Sequence, residues 1–197
     1  MNKRGQAILY YMFMQADSEI TEHEKKIYNT ICAELELDEG DIAKVVEKLQ
    51  DCKEEQMDCL GYVKRQCEFS ELGLQEILLR SKKFDLEELE YTIKRDEKKE
   101  IKAAVMWNLI NLGYADKSYS CEEKEVVKFL KDYWKIPEAV YQEMIDVSET
   151  CLALSEYEKW AETLENSAHK VEKLNQIRRD LKKIEESIKI TIEEYAL

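Results

Sequence analysis

One stretch of this chain occurs twice, and the repeat constrains the fold more than any other feature. Ala16-Asp17-Ser18-Glu19-Ile20-Thr21-Glu22-His23-Glu24 returns ninety-nine positions on, without a gap, as Ala115-Asp116-Lys117-Ser118-Tyr119-Ser120-Cys121-Glu122-Glu123. The Ala, the Asp, an apolar or aromatic residue, a hydroxyl and a Glu keep their places. The register then holds: Lys25 falls on Lys124, Ile27 on Val126, Ile31 on Leu130, Leu37 on Ile136, Glu39 on Glu138, Val45 on Met144 and Val46 on Ile145. A fixed period with matched apolar positions predicts two copies of one supersecondary unit, at about 5–50 and 101–147.

The units are helical. Five Gly and one Pro leave few turn and strand breakers, so an all-α bundle with pseudo-two-fold symmetry is expected. Residues 5–16 carry Ile8, Leu9, Tyr11, Met12 and Phe13 nearly all round, as a central helix does. The outline of Lys3-Arg4 before an apolar run also suits a secretion signal, but the same run recurs at 106–115, where no signal could stand, so 5–16 reads as a core helix. A second helix follows Thr21, with Ile27, Ile31 and Leu35 on one face, and ends near Leu37. A third, Glu39 to Asp51, places Ile42, Val45, Val46 and Leu49 on its core face. Helices are expected at 53–68, 70–82 and 85–95. The charged run from Lys94 to Glu100 reads as a solvated helical face in preference to a link. The second unit is 101–113, 121–135 and 138–147, with Pro137 beside the first turn of its last helix.

From about Ser155 to Leu197 there is no Gly or Pro, and Leu174, Ile177, Leu181, Ile184, Ile188 and Ile192 or Tyr195 recur at spacings near three and four. This predicts one long helix with a coiled-coil-like seam, a C-terminal element over 151–197 beyond a bundle of 1–150. The seam meets either its own bundle or a second copy. Its stretch 170–189 is locally basic through Lys173, Arg178, Arg179, Lys182 and Lys183, which makes either a charged outer face or a docking strip for an acidic partner.

Charge narrows the partners. Thirty basic residues against 43 acidic give −13, a field that repels phosphate backbones and anionic lipid, so nucleic acid is not an expected ligand. No apolar run reaches the roughly twenty residues of a membrane span, and the cytoplasm is the expected compartment. The six cysteines form no Cys-x-x-Cys pair. Cys52, Cys59 and Cys67 fall on one helical stripe, as reduced core thiols would.

Thr21-x-x-Glu24 and Ser120-x-x-Glu123 have the form of capping boxes, and Asp17 and Asp116 can hold the preceding turns. Read that way, all six residues end one helix and start the next. The other reading brings Asp17, Glu24, Asp116 and Glu123 together as hard oxygen ligands for calcium, magnesium or manganese. Sequence alone leaves both open.

An Ala-Asp, a variable pair, an apolar residue, Ser or Thr, two positions and a Glu, placed between two helices and present twice, resembles the TerB-like family named for tellurite resistance. The likeness covers about 5–147. The family usually has Gly after the Asp, where this chain has Ser18 and Lys117. The resemblance implies a cytoplasmic protein of stress-response and phage-defence systems, acting through protein partners, with an acidic metal site at Asp17, Glu24, Asp116 and Glu123. Such systems are also associated with membrane proximity. No Gly-rich phosphate loop or Gly-x-Ser-x-Gly elbow is present, and a non-enzymatic interaction module is expected. The alternatives are a metal-dependent enzyme using the same carboxylates and a coiled-coil assembly protein.

Overall fold

A computed structural model describes residues 1–16, 20–72, 91–115, 119–165 and 168–197. The described residues are all-α: α1 Lys3–Met14, α2 Glu22–Glu34, α3 Glu39–Glu54, α4 Cys59–Glu71, α5 Lys99–Gly113, α6 Cys121–Trp134, α7 Glu138–Glu162 and α8 Ala168–Ala196. None of these helices is long and apolar enough to cross a membrane. The chain divides into two compact units, Met1–Lys135 and Ile136–Leu197.

Local chemistry explains most boundaries. Asn2 opens α1 by accepting from the Gly5 N–H at 2.8 Å. Asp38 and Asp41 open α3 as a capping box, and Asp58 opens α4 by accepting from the Gly61 N–H at 2.6 Å. Each satisfies a donor that the first turn leaves unpaired. Helix starts and ends keep the ninety-nine-residue offset: α2 and α6 begin at Glu22 and Cys121, α3 and α7 at Glu39 and Glu138, and α1 and α5 end at Met14 and Gly113. Beyond α2 and α6, Glu36 and Lys135 occupy the left-handed region at φ 54° and 55°, again one offset apart. That conformation favours glycine, so the duplication extends to a backbone feature that neither residue type announces.

In the first unit α1 is central, packing against α2, α3, α4 and α5. Ile8, Leu9, Tyr10 and Phe13 are fully buried, as expected of a helix apolar on all sides. α5 contributes Met106, Leu109, Ile110 and Leu112 to the same core.

Between α4 and α5 the expectations change. Residues 73–90, which hold most of the helices expected at 70–82 and 85–95, lie outside the described residues. The described part, 91–95, is a single 3₁₀ position followed by irregular chain that turns at Arg95, not the α-helix expected there. Its carbonyls explain why: Ile93 O accepts from Tyr133 Oη (3.2 Å), Lys94 O from Trp134 Nε1 (3.0 Å) and Arg95 O from Lys102 Nζ (2.7 Å). Three side chains from α5 and α6 thus take the acceptors that an α-helix would use internally. Of the run from Lys94 to Glu100, residues up to Lys98 are a link into α5, and only Lys99 and Glu100 are helical, in its first turn. The helix expected from 53 likewise starts later, at Cys59, because α3 continues to Glu54 and turns through Gln56 at φ 51°.

The second unit is a hairpin of α7 against α8. Arg178 Nε donates to Glu158 at 3.0 Å, Lys173 Nζ to Tyr157 Oη at 3.2 Å and Lys170 Nζ to Glu162 O at 2.5 Å, so the helices run antiparallel. A long C-terminal helix is present, yet it begins at Ala168 and not near Ser155. α7 ends at Glu162, where Thr163 and Leu164 tighten the last turn by bonding Trp160 O and Ala161 O. Ile177 and Ile188 of the seam are buried, and several residues of the basic stretch serve to close the hairpin. Tyr157 and Trp160 stack at 5.1 Å beneath the Lys173 ammonium.

Candidate functional site

The two repeated turns are the first place to look. Asp17 and Asp116 lie outside the described residues; Glu24 and Glu123 lie within them, and both capping boxes are formed. Glu24 N–H donates to Thr21 Oγ1 at 3.2 Å, and Glu24 Oε2 accepts from Thr21 N–H at 2.7 Å and from its hydroxyl at 2.9 Å. Glu123 N–H donates to Ser120 Oγ at 3.1 Å, and Glu123 Oε2 accepts from Ser120 N–H at 2.8 Å. Capping boxes usually sit on helix surfaces. Here Glu24 is 1% exposed and Glu123 3%, so two carboxylates are carried into the interior.

Both boxes lie at one end of the first unit. The Met1 ammonium pairs with Glu97, just ahead of α5, and Asn108 Nδ2 donates to Tyr10 Oη at 3.2 Å midway along both helices. Start meets start and middle meets middle, so α1 and α5 run in the same direction. The helices leading into the two turns therefore end on the same side. Among the described residues no three His, Cys, Asp or Glu side chains gather as a metal-binding group. The Cys59 thiol is pushed well above its ordinary range by burial, then by the charges of Asp58 and Glu123. His23 and His169 are exposed. All six cysteines are free thiols, with Cys52, Cys59 and Cys67 buried.

A second feature was not expected from the sequence. Ile42 and Val46, placed by periodicity in the core, are about half exposed. With Leu49 they form one wall of a cleft of about 350 Å³, opposite Tyr28 and Cys32 of α2 and above Tyr11 of α1. α2 and α3 each pack on α1, and the space between them stays open. The Tyr28 hydroxyl and Cys32 thiol, which bond each other in this wall, are both pushed up chiefly by burial. Helical periodicity identifies an apolar stripe but not what covers it.

No curated protein and no solved structure matches the chain significantly. The family model described as tellurite resistance protein TerB matches residues 4–146. That span takes in α1 to α6, both repeated turns and the start of α7, and on it the chain belongs to the TerB family, as a tellurite-resistance-related helical domain.

Proposed function

We propose that this chain is a non-enzymatic protein-interaction or regulatory module of the TerB family, serving stress response or phage defence, with its repeated turns as a divalent-cation site. The observation that carries the reading is the pair of buried carboxylates, Glu24 and Glu123, at the same end of two helices that run in the same direction. Burying a carboxylate is costly unless hydrogen bonds and opposite charge compensate it. The capping boxes supply hydrogen bonds to one oxygen of each. With Asp17 and Asp116, which the ninety-nine-residue repeat pairs in sequence, the turns would offer four hard oxygen donors suited to calcium, magnesium or manganese. A bound divalent ion would add positive charge at such a set. The same reading places the protein in the cytoplasm among protein partners.

Calorimetric titration of calcium, magnesium and manganese into the wild type and into Asp17→Asn/Asp116→Asn tests it. Saturable binding by the wild type, lost in the double variant, is the expected result. A wild type that takes up none of the three ions would refute the cation site and leave the turns as helix-entry devices.

A further inference from the structure

The outer face of α8 carries a basic patch that the hairpin leaves unused. Residues 170–189 hold seven Lys or Arg against four Asp or Glu, in a chain whose net charge is −13. Lys170, Lys173 and Arg178 reach across to α7. Arg179, Lys182 and Lys189 are exposed, on the side of the helix turned away from buried Ile177 and Ile188. Asn175, Arg178, Arg179 and Lys182 line one shallow hollow of about 470 Å³, with no carboxylate in its wall.

The donors in that wall are mostly unengaged. Glu158 accepts only from Nε of Arg178, at 3.0 Å. Arg179 donates its Nε to Asn175 O at 3.1 Å and forms no ion pair among the described residues. Lys182 stands 3.8 Å from Glu186, beyond hydrogen-bond length, and both side chains are exposed, where an ion pair contributes little. Two adjacent guanidinium groups thus keep their terminal N–H donors toward solvent, beside an ammonium and an amide. Such a fork matches a carboxylate with two parallel hydrogen bonds. Length and screening select the occupant. The hollow runs from Asn175 to Lys182, about 10 Å at the helical rise. At 0.15 M salt, charges beyond about 8 Å are largely screened, so the patch attracts a short anion although the chain as a whole is acidic. A long polyanion, such as nucleic acid or an anionic membrane, would extend past the patch into the field of that acidic chain.

We propose that this hollow docks a short acidic segment of a partner protein, with its Asp or Glu carboxylates on Arg178, Arg179 and Lys182 and within reach of the Asn175 amide. This rests on the reading of the chain as an interaction module, and not on its cation site. The probe is a labelled Glu-rich peptide of about 8 residues, enough to cover the patch whether helical or extended, compared with its Lys counterpart. Binding to the full chain is read by fluorescence anisotropy in about 0.15 M salt. The test variant is Arg179→Gln/Lys182→Gln. The control is Lys26→Gln/Lys128→Gln, which removes the same charge from the first unit. All four side chains are exposed, so the variants should fold, which far-UV circular dichroism checks. The expected result is saturable binding of the Glu peptide only, weakened at least about tenfold in the test variant and unchanged in the control. Binding that neither pair changes, or that both weaken equally, overturns the hollow as the docking site and leaves the interaction-module reading standing. No binding of the Glu peptide by the wild type overturns the acidic segment as occupant. Wild-type sedimentation with phosphatidylserine vesicles, lost in the test variant, would overturn it in favour of a lipid surface. A wild-type dimer that the test variant splits would do so in favour of a second copy.

Discussion

Substitution of Glu24 separates the two things its carboxylate can do. Oε2 accepts two hydrogen bonds, from Thr21 N–H at 2.7 Å and Thr21 Oγ1 at 2.9 Å, on a side chain that is 1% exposed. Glu24→Ala removes both acceptor contacts. The lost half of the box costs about 1 kcal/mol, and a part-buried N–H left without its acceptor adds roughly 1–3 kcal/mol. A total near 3 kcal/mol is expected. Glu24→Gln keeps an acceptor at the same reach. It exchanges a charge-assisted bond for a neutral one and gives up the favourable charge at the helix N-terminus, together about 1 kcal/mol, part of which the cheaper burial of an amide offsets. The expected order is therefore Glu, then Gln close behind, then Ala well below. Urea denaturation followed by far-UV circular dichroism, with the slopes compared, reads this directly. An Ala variant within about 0.5 kcal/mol of the wild type would refute the claim that the box holds the start of α2. A Gln variant as unstable as Ala would show that the site depends on the charge itself and not on the hydrogen bonds.

Further perturbations test the packing within the first unit. At Gly113 an added Cβ would come within 2.6 Å of the Tyr119 ring, which packs on Tyr114 at 5.0 Å. Helix propensity favours Gly113→Ala by about 1 kcal/mol, but displacing the ring costs roughly 1–3 kcal/mol, so net destabilisation is expected in urea; a stabilised variant would show that Tyr119 moves freely. The thiols predict a pH dependence. Burial pushes Cys67 from 9.0 up to about 12 and raises Cys59 as well. With the folded values above the unfolded ones, their contribution is fully present below about pH 9 and is lost as pH rises toward about 12. The urea midpoint should fall over that window, and less steeply in Cys67→Ala; equal slopes would contradict the assignment. At neutral pH a thiol reagent should modify exposed Cys121 before the buried Cys59 and Cys67.

The helical class, the order of the elements and both capping boxes were legible in the chain because helix entry is local: Thr21 and Glu24 lie within one turn, and no distant residue is needed to form the box. The repeat was legible for the same reason, position by position. What the tertiary structure alone decided concerns partners far apart in the chain. The burial of Glu24 and Glu123, and the shared direction of α1 and α5 seen where Met1 meets Glu97 and Tyr10 meets Asn108, are of this kind. Residues 91–95 lose their helix to acceptor sites claimed by Lys102, Tyr133 and Trp134. The long C-terminal run breaks after Glu162 because α8 folds back to bury its seam against α7, although Asn166-Ser167, residue types that favour helix caps, carried a local hint. Ile42 and Val46 share the periodicity of any core stripe, yet they stand half exposed because α2 and α3 both rest on α1 and leave the space between them open. Periodicity records which face is apolar; only the packing of elements distant in sequence determines whether that face is covered.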